Sequence, residues 1–144
     1  MRILRTLTLV RLGQATVTWG VLFAVVHAYW AAGGAAGMNG EPADTAAAQA
    51  YIAFIALLGL AGAGVAYRLV RERRRVLTLL ARAGAAALLL GVAVGTLRWA
   101  VEGGLDDDGA AGVVTTLYFL VGGVLFAMLG WRDEASPRER SLMG

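Results

Sequence analysis

The sequence predicts an all-α fold, an integral membrane four-helix bundle with both termini cytoplasmic, and three observations predict it. Hydrophobic residues make up 58% of the 144 positions and the mean hydropathy is +0.65, more apolar than a chain whose exterior faces water. Four stretches, at about 12–34, 47–70, 76–100 and 110–131, are each long enough to cross a hydrocarbon core of about 30 Å. The thirteen basic residues are all arginine. They gather at the N-terminus (Arg2, Arg5, Arg11), around the second connection (Arg68, Arg71, Arg73, Arg74, Arg75, Arg82) and at the C-terminus (Arg132, Arg138, Arg140), with Arg98 alone elsewhere. The positive-inside rule assigns those three regions to the cytoplasm. The remaining loops carry Glu41, Asp44, Glu102, Asp106, Asp107 and Asp108. An even number of spans with both ends inside satisfies every loop, and positions 1–144 form a single transmembrane domain.

The elements follow in order. From Met1 to Val10, arginines alternate with Ile3, Leu4, Leu7 and Val10, a pattern that suits a short interfacial helix leading into the first span. A basic start followed by an apolar run also resembles a secretory signal, but this run is about twice the usual length, which predicts a retained span. Gly37, Asn39, Gly40 and Pro42 break helix between the first and second spans. The short connection Arg71 to Arg75 makes the second and third spans antiparallel neighbours. Before the fourth span, Asp106, Asp107 and Asp108 suit a helix cap, a solvated turn or a weak cation site.

Small residues predict how the helices face each other. Gly13, Gly20, His27 and Gly34 recur every seven residues, one narrow stripe of the first span. Gly84, Gly91, Gly95, Arg98 and Glu102 share a face of the third; Thr116, Gly123 and Gly130 repeat the pattern in the fourth, and Gly59, Gly62 and Ala66 line the second. Because small residues let membrane helices approach closely, the stripes are expected to point at each other across the bundle.

His27 is the single histidine, and an ionisable group at bilayer depth is a functional-site hypothesis by default. At ~1.5 Å per residue it lies roughly 10 Å inside a first span that ends at Gly34. Trp30, Tyr51, Arg98, Glu102 and Tyr118 converge on the same depth, with Arg98 and Glu102 spaced for a local pair. These six are the candidate ligand-binding residues, and His27 is the candidate acid or base. Each also has a structural role available: His27 bonding two helices, Arg98 and the tryptophans anchoring at the interface. Arg82 is expected to snorkel to the cytoplasm.

Several function classes are excluded. One histidine and no cysteine leave no transition-metal site, no thiol redox chemistry and no call for a cofactor. No serine lies in any span, so a serine nucleophile is absent from the membrane. The arginines are distributed as topology signals, which argues against nucleic acid as a partner.

The run His27-x-Tyr29-Trp30-x-x-Gly33-Gly34 resembles the first helix of a bacterial family of small four-span membrane proteins of unknown function. That resemblance implies a plasma-membrane location and marks His27, Trp30, Gly33 and Gly34, without implying a reaction. The alanine-rich, all-arginine composition suits a high-GC bacterium. The leading functional expectation is a protein that binds a small apolar or amphipathic ligand, or a lipid, in an outward-leaning intramembrane pocket. The alternatives are a homo-oligomeric small-molecule transporter or channel, and an intramembrane acid–base enzyme of isomerase or cyclase type using His27, with Arg98 stabilising negative charge.

Overall fold

The computed structural model describes residues 2–36, 43–72, 74–101 and 109–131. They form four helices: α1 (Arg2–Ala31), α2 (Ala46–Glu72), α3 (Arg75–Val101) and α4 (Gly109–Trp131). All four are long and apolar enough to cross a membrane. Large apolar side chains cover the outside, with Leu57, Leu90, Leu97 and Val114 exposed by 63, 65, 66 and 66%. In water that surface would aggregate; against acyl chains it is the matching solvent.

The expected interfacial helix at the N-terminus is not separate. α1 runs unbroken from Arg2, and its apolar span begins at Thr8. It also stops three residues short of the expected Gly34, because Gly33 turns the chain at a φ of 91°. Gly33 N–H donates to Trp30 O and Gly34 N–H to Tyr29 O, both at 3.0 Å. This pair of bonds is a Schellman cap, which needs a residue free to take positive φ. His27 is thus one turn, about 6 Å, from the end of α1. At the start of α2, Thr45 Oγ1 accepts from Ala48 N–H at 3.2 Å, an N-cap that supplies an acceptor to an otherwise orphaned donor. Only positions 73–74 separate α2 from α3, a tighter turn than the spacing implies. Glu72 there receives Arg74 Nε at 3.1 Å and Arg68 Nε at 3.8 Å.

α1 packs closely on α2, and α3 on α4; the two hairpins meet through α1 against α4 and α2 against α3, while the diagonal pairs barely touch. Glycine sets the first contact. A Cβ on Gly20 would lie 3.1 Å from Gly59 O and 3.3 Å from Ala63 N, so backbone meets backbone. Gly123 and Gly130 likewise admit Leu89 and Arg82 of α3. The core (Leu12, Trp19, Phe23, Ala66, Leu69, Ala81, Ala85, Phe126 and Leu129) fills the middle and the arginine-rich half.

The expectation that every glycine stripe faces inward fails for α3. Ala81 and Ala85 are fully buried, but nothing comes within 4 Å of a Cβ placed on Gly84, Gly91 or Gly95. Gly95 shares the stripe of Leu77, Ala81 and Leu88, the face that packs lower down. From Gly91 to Val101 no described side chain is buried. The half of α3 away from the arginine-rich end is therefore packed more loosely than the other half, with Val92 the one half-buried position among the side chains described there.

Candidate functional site

One face of α1 carries Trp19, Phe23, His27 and Trp30, at steps of four, four and three, the spacing that stacks side chains along a helix. The rings form a continuous column. Trp19 and Phe23 have centroids 5.3 Å apart, Phe23 and His27 lie stacked at 4.0 Å, and Trp30 presents its edge to His27 at 4.9 Å. From α4, Tyr118 stacks on Trp19 at 5.1 Å, Phe119 meets Phe23 edge-on at 5.6 Å and Phe126 meets Trp19 edge-on at 6.2 Å. Such contacts contribute roughly 0.5–1.5 kcal/mol each beyond their buried area.

The polar atoms of the column, His27 Nε2 apart, are committed to backbone. Trp19 Nε1–H donates to Tyr118 O at 3.0 Å, and the Tyr118 hydroxyl donates back to Trp19 O at 3.1 Å. His27 Nδ1 lies 2.8 Å from Phe23 O, and Trp30 Nε1–H donates to Ala36 O at 2.9 Å. Trp19 and Phe23 are buried, whereas His27, Trp30 and Tyr118 are partly exposed. The column is therefore buried in mid-bundle and partly exposed at the His27 end.

Three of the six sequence-predicted ligand residues come together here: His27 and Trp30 directly, and Tyr118 through Phe23, whose ring is 4.0 Å from His27 and 6.1 Å from Tyr118. Tyr51 is 67% exposed on α2 and stands outside the column. Arg98 is exposed on α3, whose packed neighbours are α4 and α2 rather than α1. Glu102 and the aspartates 106–108 lie outside the described residues. Arg82 does more than snorkel: its Nε–H donates to Gly130 O at 3.0 Å and its guanidinium lies 5.6 Å from the Trp131 ring centre. It satisfies a carbonyl at the end of α4 that has no helical partner.

Trp19, Phe23, Phe119 and Phe126 were not singled out by residue chemistry, since none of them titrates. Their signal was periodic. The 4-4-3 aromatic spacing on α1 faces a Tyr118-x-x-x-Gly122-x-x-x-Phe126 repeat on α4, in which the glycine leaves room for a ring: a Cβ on Gly122 would fall inside the Trp19 indole. Tyr29, Trp30, Gly33 and Gly34 also have a structural explanation. The Tyr29 ring covers Gly34 too closely for any side chain there, and its hydroxyl accepts from Ala36 N–H at 3.4 Å.

Fold and site together define a four-helix bundle of membrane-spanning length, with an aromatic column ending in a half-exposed histidine. Among the described residues no cluster of three or more His, Cys, Asp or Glu is placed to hold a metal ion. Comparison with protein-family models, with curated proteins and with solved structures finds no match. Function is accordingly argued from the site's own chemistry.

Proposed function

We propose that this chain is a multi-pass protein of a bacterial plasma membrane, with both termini cytoplasmic, that binds a small apolar or amphipathic molecule or lipid beside His27. One observation carries the proposal. The aromatic column is buried at Trp19 but only half-buried at His27 and Trp30, in the half of the bundle where α3 buries no described side chain. A mostly apolar wall with one or two polar atoms is the usual make-up of a small-molecule site. The ligand would lie between this wall and the Gly91 and Gly95 region of α3. Arg98 and Tyr51 would reach it only from the mouth.

Native mass spectrometry of the full chain extracted from its membrane tests the proposal. The wild type is expected to retain an apolar molecule that His27→Ala and Trp30→Ala lose while still unfolding in one cooperative transition. Equal retention by both variants would sink it. A C-terminal reporter active only in the cytoplasm checks the orientation.

A homo-oligomeric transporter or channel is the second reading, favoured by the uncovered Gly91-x-x-x-Gly95 face of α3. In that case a second copy, rather than a ligand, would cover that face. Crosslinking between cysteines placed at Gly91 in separate copies separates the two.

A further inference from the structure

The hydrogen-bonding capacity left at the His27 site is one-sided. Phe23 O, 2.8 Å from His27 Nδ1, can only accept. Nδ1 must therefore carry the hydrogen. A neutral imidazole has a single N–H, so Nε2 presents a lone pair. A cationic ring at this depth would need a counter-ion, and among the described residues no carboxylate pairs with His27. Nε2 has no hydrogen-bond partner among the described residues. Among the described residues no unpartnered side-chain nitrogen or oxygen is fully buried, so Nε2 keeps some exposed surface on the half-buried His27.

Every other donor in the column is already used. Trp19 Nε1–H goes to Tyr118 O, the Tyr118 hydroxyl to Trp19 O and Trp30 Nε1–H to Ala36 O. The Tyr29 hydroxyl only accepts, from Ala36 N–H, and keeps its own hydrogen, but Tyr29 makes no ring contact with the column among the described residues. What remains for a ligand in the column is an acceptor nitrogen on a ring that stacks on Phe23 and lies against Trp30. At Nε2 itself, a molecule offering only a carbonyl or ether oxygen would set acceptor against acceptor. One offering an O–H would pair with Nε2 while its apolar body covers the rings, and a site built to bond a hydroxyl discriminates against analogues lacking it.

Resting on the binding site proposed above, we infer that the ligand is a hydroxyl donor, an apolar membrane alcohol or quinol, bound with its O–H on His27 Nε2, and that quinones, ketones, esters and ethers of the same body are disfavoured.

Because the chain contains a single histidine, ¹⁵N-histidine labelling reports this ring alone. The full chain in lipid nanodiscs is titrated with 1-hexadecanol and, separately, with its methyl ether. The expected spectrum before addition has a protonated Nδ1 and an unprotonated Nε2. Hexadecanol shifts the Nε2 resonance, and the ether needs roughly tenfold more for the same shift. An Nε2 that carries hydrogen before addition overturns the inference, as does an ether as effective as the alcohol; in that second case the binding site itself stands. If the tautomer is as stated and neither compound moves the resonance, the site fails and the inference with it. His27→Phe preserves the stack, and native mass spectrometry should then show equal retention of alcohol and ether; a preference that survives this substitution would place the hydroxyl elsewhere and overturn the inference.

Discussion

Trp19 and Tyr118 hold α1 and α4 together by exchanging hydrogen bonds: each side chain donates to the other's backbone carbonyl, at 3.0 and 3.1 Å, while their rings stack at 5.1 Å. Both carbonyls also sit within helices, so the two residues add polar cross-links without breaking either ladder. In a bilayer, where lipid tails offer no hydrogen bonds, this is a specific means of fixing one helix against another. It also places Phe23, and with it His27, at a set distance from α4.

Tyr118→Phe removes one of the two bonds and leaves the stack. It is expected to cost about 1 kcal/mol, and Trp19→Phe somewhat more because indole volume is lost as well. Equilibrium unfolding in mixed micelles, run as a double-mutant cycle, should give a coupling energy of about 0.5–1.5 kcal/mol. Strict additivity would show that the residues do not act as a pair.

Glycines with neighbours and glycines without should respond oppositely to alanine. At Gly122 an added Cβ meets the Trp19 indole, itself held by a hydrogen bond and two stacked rings, and overpacking of this kind costs roughly 1–3 kcal/mol. At Gly91 nothing lies within 4 Å, so alanine should be neutral or stabilise by up to about 1 kcal/mol through helix propensity. The same unfolding assay decides. Strong destabilisation by Gly91→Ala in ligand-free micelles would mean that a second copy covers that face.

The four spans were legible because length, apolar content and arginine placement each constrain a membrane helix independently. Legibility fell where the outcome depended on a neighbour. Seven-residue spacing correctly made Gly20 an interface residue, since Gly59 and Ala63 meet it, but the equally regular Gly84, Gly91 and Gly95 face open space. Periodicity identifies a face that permits close approach; whether a helix arrives depends on the rest of the bundle. Residue chemistry singled out His27, Trp30 and Tyr118, three residues that the aromatic column does bring together. It also gathered Tyr51 and Arg98 at the same depth, although equal depth on different helices does not imply contact. The aromatic residues that join the true neighbours were passed over because none of them titrates.

Gly33 should tolerate substitution less well than its open surroundings suggest. Its φ of 91° strains any residue with a Cβ even though no atom lies within 4 Å, at a cost of about 1–2 kcal/mol for alanine. Hydrogen exchange at the end of α1 is the direct measurement: Gly33→Ala should speed exchange at Gly34 N–H and weaken the Trp30 tether, leaving the amides around Thr16 unchanged. Unchanged protection at Gly34 would remove the cap from the account.

Arg82 ties the opposite end of the bundle through Gly130 O. Arg82→Met keeps most of the stem but loses the donor, and is expected to destabilise the α3–α4 hairpin by about 1 kcal/mol, the group being partly solvated. Ligand retention at His27 should not change, because the two sites occupy opposite ends. A variant that unfolds normally yet loses ligand would contradict this separation.

The central claim is that the partly exposed end of the aromatic column is where an apolar ligand sits, and site-resolved photolabelling tests it most directly. A membrane-diffusible diazirine on an apolar alcohol, activated with the protein in its own bilayer and mapped by peptide mass spectrometry, should place adducts on Phe23, His27, Trp30 and Phe119, with excess unlabelled alcohol suppressing them. Adducts spread evenly over lipid-facing positions such as Leu57, Leu90 and Val114, with no competition at His27, would contradict it.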